Sequence, residues 1–300
     1  MAMRRAAQRA GAGGRGGHAC GTQARGIGVS APRQDVGRKV VEGGVKHELP
    51  ETGSVARGYL VDAKMLSPTT RSLRFLVESE PERVIAQMGD DQLKAPKVGG
   101  FAFRPGQWVD CVIPGCEEIG GFSMTTSPTE MPYLELAIKD SDHEPTDVAV
   151  NKAKAGDEWL FRVGGSLCLP EDLDADSKLI FLAGGIGITP LYAMARHLYL
   201  TSAFPSQTHF VHSAGNKEEF IFDNELSKFD KENASFSYTS HNTKEHGRLS
   251  QDALKSMLGS DDLANALCFL CGPPGFASDL KTVLQELGVS SSNIHGEKWW

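Results

Sequence analysis

The sequence predicts two domains, an antiparallel β-barrel followed by an α/β domain built on a parallel sheet. Three observations lead there. Between residues 55 and 172, short stretches of alternating apolar residues are punctuated by Pro and Gly, the pattern of a small antiparallel barrel or sandwich. From residue 178 to 300, apolar runs alternate with helical stripes, the pattern of a parallel sheet covered on both faces. Between the two lies a polar stretch carrying Glu171, Asp172, Asp174 and Asp176.

In the first part, strands are predicted across 58–77, where Leu73, Phe75 and Val77 share one face, and again at 107–113, 133–139 and 158–163. Leu134, Leu136 and Ile138 form the apolar face of the 133–139 strand. The stretch 78–100 is polar and reads as a surface excursion with a short helix at 82–88. In the second part, strands at 179–183, 208–213, 235–240 and 266–271 alternate with helices at 189–200, 224–229 and 250–258. A last helix places Phe276, Leu280, Val283, Leu284 and Leu287 on one stripe and stops at Gly288.

Composition narrows the function classes. The chain has 300 residues, 40% hydrophobic and 23% charged, and 31 Lys and Arg against 38 Asp and Glu. A net charge of -7 is no footprint for binding nucleic acid. The charge is uneven: residues 1–39 hold eight basic residues and the single acid Asp35, so the remainder is distinctly acidic. Arg4, Arg5 and Arg9 at helical spacing among small residues suggest a mitochondrial transit peptide over 1–40; a basic disordered tail is the alternative. With only Thr22 and Ser30 as hydroxyls before Ala31, a plastid peptide is disfavoured. The uncharged apolar run 179–195 is shorter than a spanning helix and interrupted by Gly184, Gly185, Gly187 and Pro190, so no membrane span is expected. Cys111 and Cys116 lack a third thiolate at Ile119, and Cys268 and Cys271 sit three apart on a strand, facing opposite ways. No metal site is expected.

Three motifs carry chemistry. Gly184-Gly185-Ile186-Gly187-Ile188-Thr189-Pro190 joins an apolar strand to a helix, where glycines admit an anion and the helix N-terminus supplies free N–H groups. A tight turn without ligand is the other reading. Cys271-Gly272-Pro273-Pro274-Gly275 ends a later strand, placing a thiol beside a flat ring or simply burying a small hydrophobe. The ending Gly296-Glu297-Lys298-Trp299-Trp300 combines a proton carrier with stacking indoles, or anchors a terminal strand.

Taken in order, Phe103-Arg104-Pro105-Gly106-Gln107-Trp108-Val109, Ser123-Met124-Thr125-Thr126-Ser127-Pro128, the Gly184 to Pro190 run, Gly247-Arg248-Leu249, Cys271 to Pro274 and the closing Glu-x-aromatic resemble the ferredoxin-NADP reductase superfamily over residues 55–300. Gly120-Gly121-Phe122-Ser123 and the ending are most similar to one branch of it, associated with mitochondria. The resemblance implies a flavin-binding barrel followed by a nucleotide-binding domain, with hydride passing between nicotinamide and the flavin. It implies catalytic roles for Ser123, Cys271 and Glu297. Phe122 and Ser123 would border the flavin, with Thr125, Thr126, Ile138, Lys139 and Thr146 lining its site and Trp299 covering it. Gly184, Gly185, Gly187, Ile188, Thr189 and Pro190 would hold the pyridine-nucleotide diphosphate, and Cys271, Gly272 and Pro273 would meet the nicotinamide ribose.

Two positions depart from the family pattern. Its Arg is Gly120 here, removing a clamp for the FAD diphosphate, and its Tyr is Phe122, removing one hydroxyl. Arg104 and Lys139 are candidate substitutes. The expectation is a mitochondrial matrix NAD(P)H oxidoreductase using FAD, weakly held, or FMN, with pyridine nucleotide and an unknown electron acceptor as partners. NADH is favoured over NADPH because Ser213-Ala214-Gly215-Asn216-Lys217 offers no Arg to grip a 2'-phosphate. The alternative, which Gly120 favours, is a catalytically retired nucleotide-binding protein with a structural or regulatory role.

Overall fold

The computed structural model describes residues 55–78, 101–259 and 262–298. The expectations for residues 1–40, for the helix at 82–88 and for Trp299 and Trp300 lie outside them.

Six antiparallel strands form the first sheet: β1 (Val55–Met65), β2 (Thr70–Glu78), β3 (Trp108–Val112), β4 (Gly120–Ser123), β5 (Tyr133–Lys139) and β6 (Glu158–Gly164), in the order β4-β3-β6-β1-β2-β5. A bridge between Met124 and Leu136 joins the two edge strands, and the N–H of Thr125 donates to the carbonyl of Glu135 at 2.9 Å. The sheet is thereby a nearly closed barrel, which leaves few unpaired edge groups. Alternation along β2 turns Leu73, Phe75 and Val77 inward, where they are at most 4% exposed. The ring of Phe75 lies 4.9 Å from Trp159 and 5.0 Å from Phe161, centroid to centroid. Gly58 is required beneath them, because a Cβ there would stand 2.3 Å from the Phe161 ring.

The second sheet is parallel and contains β7 (Lys178–Gly184), β8 (Gln207–Ala214), β9 (Phe236–Asn242), β10 (Leu267–Gly272) and β11 (Ile294–Lys298), ordered β11-β10-β7-β8-β9. Among the described residues, four helices of eight residues or more connect them: α1 (Ile188–Leu200), α2 (Asp223–Glu232), α3 (Gln251–Leu258) and α4 (Pro274–Glu286). The central strand β7 shows why the chain folds this way. Leu179, Phe181 and Ala183 pack toward Leu191, Tyr192 and Phe229 of α1 and α2, while Ile180 and Leu182 pack toward Leu254, Leu280 and Leu284 of α3 and α4. Each fully buried Leu, Ile or Phe contributes about 1.5–3 kcal/mol, so a strand apolar on both faces belongs in the middle. Cys268 and Cys271 fall in these two opposite cores, as their spacing on one strand requires. Ser250 caps α3 by accepting the N–H of Ala253 at 3.2 Å. Helix α4 ends in a Schellman turn: Gly288 takes φ +94°, Val289 N–H reaches Leu284 O and Gly288 N–H reaches Gln285 O, each at 3.0 Å.

Strands β4 and β11 are absent from the strands expected by periodicity. The first is four residues long and half glycine, and the second is too short to alternate visibly. No helix among the described residues is long and apolar enough to cross a membrane.

Candidate active site

The chain enters the parallel sheet at β7, adds β8 and β9 on one side, and then returns to place β10 and β11 on the other. The connections leaving β7 and β10 therefore diverge to opposite faces. Ligands in such sheets bind in the crevice at the carboxyl ends of the strands on either side of that point. Both glycine motifs lie there.

The loop after β7 is shaped by its glycines. Gly185 adopts φ +54° with open space where a side chain would project, leaving the backbone accessible. At Gly187 a Cβ would collide with the carbonyl of Cys271 at 2.4 Å, so only glycine lets the loop seat on β10. Gly184 and Gly272 lie beneath the ring of Phe276, where added Cβ atoms would approach to 2.9 and 2.7 Å. Thr189 spends its hydroxyl on the carbonyl of Ile186 at 3.0 Å, and Ile188 and Pro190 are buried. These three support the turn, and the groups left to meet an anion are the N–H groups at the start of α1. His212 of β8 holds the loop from beneath, with Nε2 3.1 Å from Gly185 O. A carbonyl can only accept, so Nε2 carries the proton and donates. Nδ1 is then a bare acceptor, buried without a partner, and burial lowers the imidazole to about 4. Residues and helix end together fit a pyridine-nucleotide diphosphate.

A second group forms where the barrel meets the parallel sheet. Cys271 and Glu297 are register partners on β10 and β11, and Trp108 and Ser123 are register partners on β3 and β4. The two pairs are linked by the indole N–H of Trp108, which donates to Glu297 Oε1 at 2.9 Å. Glu297 Oε2 is buried and has no hydrogen-bond partner. Burial raises this carboxyl to about 7, the Trp108 bond opposing the shift. The fold therefore brings all three residues singled out as catalytic, Ser123, Cys271 and Glu297, to one junction. Cys271 is nevertheless fully buried, so its thiol packs in the core and only its backbone borders the crevice. Pro273 is exposed at the mouth of the crevice.

Other residues expected to line the flavin site are placed differently. Phe122 and Ile138 face the barrel core, at 9% and 2% exposure. Thr125 and Thr126 are buried and spend their hydroxyls on the backbone of Glu135. Lys139 donates to Glu219 at 2.8 Å, and Thr146 donates to the carbonyl of His143 at 2.6 Å. These side chains stabilise the barrel and its contacts rather than presenting free groups to a ligand. Arg104 donates to the carbonyl of Leu169 and lies 3.8 Å from Glu171. The sequence assigns no site role to Trp108, His212 or Phe276: each reads as one more core residue, and only strand register reveals its neighbours.

Residues 181–282 match the family model of the oxidoreductase NAD-binding domain. The chain is 31% identical over 222 residues to the oxidoreductase NAD-binding domain-containing protein 1 of Danio rerio, covering 67% of this chain and 82% of that protein. It belongs to that family. The human member is 27% identical over 285 residues, 84% of each chain. Among solved structures, a ferredoxin NADP+ reductase from Neisseria gonorrhoeae with bound FAD and NADP superposes with TM-score 0.65 at 18% identity, covering 82% of this chain and 99% of that one. The Amycolatopsis cytochrome P450 reductase gives 0.64 at 20% identity, over 82% and 70%. At these identities the likeness is one of fold: a barrel and a parallel sheet arranged as in the flavin and nucleotide domains of ferredoxin-NADP reductases. Members of this wider family transfer electrons between pyridine nucleotide and flavin.

Proposed function

We propose that this chain is an NAD(P)H-dependent flavin oxidoreductase of the mitochondrial matrix. The observation that carries the reading is the meeting of two groups at one sheet edge: a phosphate-ready glycine loop, and beside it a buried carboxyl near pH 7 joined to an indole. Bound flavin would supply the hydride-accepting ring. The chain's own residues do the rest. The α1 N-terminus orients the diphosphate, the backbone of Cys271, Gly272 and Pro273 borders the nicotinamide end, Ser123 lies beside Trp108, and Glu297 holds a proton at its unpartnered oxygen. An orphaned polar atom beside an indole suits a planar ring carrying both donors and acceptors.

NADH is preferred over NADPH on this reading. A cavity of about 370 Å3 at the carboxyl ends of β8 and β9 is lined by Lys217, Asp223, Ser240, Asn242, Glu245 and His246. Its lysine is 3.4 Å from Glu245, and Asp223 adds a second carboxylate that accepts from Tyr238 at 2.9 Å. Carboxylates suit ribose hydroxyls and oppose a 2'-phosphate. The test is anaerobic addition of NADH to the protein with excess flavin, with bleaching of the visible flavin band expected; bound NADH with no bleaching refutes it. A Kd for NADPH tenfold below that for NADH, equivalent to about 1.4 kcal/mol, would reverse the nucleotide preference. For location, residues 1–40 fused to a fluorescent protein should direct it to mitochondria, and a diffuse cytosolic signal would contradict this.

A further inference from the structure

The space that an Arg would need at position 120 is filled. A Cβ on Gly120 would stand 2.5 Å from the ring of Phe122 and 2.8 Å from Cβ of Pro145, both too close for any real contact. Phe122 belongs to the barrel core, and Pro145 is buried in the one-turn helix Glu144–Asp147. Neither can withdraw without opening packed structure.

The charge around this position also opposes a diphosphate. In the loop that leads into β4, the N–H groups of Glu117 and Glu118 lie 2.8 and 3.4 Å from Glu144 Oε2, so donors that would otherwise face an anion already serve a carboxylate. Glu118 lies 2.9 Å from His143, and Asp147 pairs with Lys152 at 2.6 Å. Four carboxylates, Glu117, Glu118, Glu144 and Asp147, therefore flank the start of β4 against one lysine and one histidine. The Thr146 hydroxyl is spent on local carbonyls. By contrast the junction at Ser123, Trp108 and Glu297 keeps a buried polar atom without a partner. The end of the site that would meet a flavin ring keeps an unpartnered polar atom, while the end that would meet the diphosphate has no room for an arginine and is flanked by carboxylates.

We propose that this chain recognises the isoalloxazine end alone, and that free flavin of the riboflavin or FMN class is its dissociable substrate and its electron acceptor. In the balanced reaction NADH loses a hydride and becomes NAD+. The flavin gains that hydride and one proton from solvent, and leaves as dihydroflavin carrying both electrons. The proposal rests on the hydride-transfer reading of the junction and names the acceptor that reading left open.

The test is equilibrium dialysis of the full chain against riboflavin, FMN and FAD, with NADH oxidation followed in parallel. Riboflavin and FMN are expected to bind at least as tightly as FAD, to be lost on desalting, and to support saturable NADH oxidation. FAD bound tenfold more tightly than riboflavin, or retained through desalting, overturns the proposal while leaving the hydride-transfer reading intact. Binding of NADH with none of the three flavins overturns both. Glu144→Gln keeps an acceptor for the Glu117 N–H and removes the charge. It should raise FAD affinity severalfold and leave riboflavin unchanged, and a fixed ratio between the two flavins overturns the proposal.

Discussion

On the proposed reading, Glu297 is the residue on which the chemistry turns. Its carboxyl is held near 7 by burial, so the folded protein keeps a proton that the unfolded chain releases near the ordinary carboxylate value of 4.5. The sign follows: this group's contribution to stability is fully present below about 4.5 and is lost as pH rises toward 7. Glu297→Gln stays neutral and can still accept from Trp108, so above pH 7 it should be more stable than the parent by on the order of 2 kcal/mol, since each tenfold difference in proton affinity between folded and unfolded chain is worth about 1.4 kcal/mol. Urea titrations at pH 5 and pH 8 check this, the gain appearing only at pH 8. Proton-coupled turnover in the parent should fall above pH 7, while the variant should lose about 100-fold in rate and show no such limb, the size expected for a positioned proton carrier. Matching pH profiles in the two proteins would remove Glu297 from the chemistry. Sequence alone points to this acid through its place in a terminal motif. The indole that binds it is invisible there, because Trp108 and Glu297 are 189 positions apart and meet only when barrel and sheet assemble.

Among elements, the turn from β7 into α1 is the most legible, because glycine at 184, 185 and 187 has few explanations other than close approach and special backbone. The Schellman end of α4 is legible for the same reason at Gly288. Strands β4 and β11 are not, since their positions depend on pairing with β3 and β10 rather than on any pattern of their own. Two alanine substitutions separate packing from flexibility. Gly187→Ala drives a methyl into the Cys271 carbonyl and should cost about 1–3 kcal/mol, with nucleotide affinity falling at least tenfold. Gly275→Ala meets nothing within 4 Å in the first turn of α4, and should be neutral or stabilising by up to about 1 kcal/mol. Thermal melting and NADH titration of both variants give the comparison. Equal effects at the two sites would mean that the seat of the loop on β10 is unimportant.

At the scale of the whole molecule, hydride transfer requires the barrel and the parallel sheet to hold one geometry. Arg196 of α1 reaches across to the barrel, donating to Glu135 at 2.7 Å, to the Thr125 carbonyl at 3.4 Å and to Glu130. Beside it, Ser127 and His197 Nδ1 are 2.9 Å apart, and on the other side Glu219 takes both Lys139 and Thr69. Arg196→Met would strand two partly buried carboxylates and should cost about 1–3 kcal/mol, less at high salt. A loss below about 0.5 kcal/mol in urea unfolding would mean these ties are no stronger than ordinary surface pairs. The overall architecture is readable because alternation and helical periodicity are local signals. The proposed flavin preference is readable only in part: Gly120 marks the missing clamp in the sequence, whereas the packing of Pro145 against it and the carboxylate of Glu144 beside it appear only in the fold. Movement of hydride from nicotinamide to flavin at this junction is best followed by rapid anaerobic mixing of the protein and riboflavin with NADH, either ordinary or deuterated at the transferred position. Stoichiometric bleaching of the flavin, slowed by deuterium and dependent on the protein, is expected. Flavin that stays oxidised while NADH is bound, or bleaching at the same rate without the protein, would contradict it.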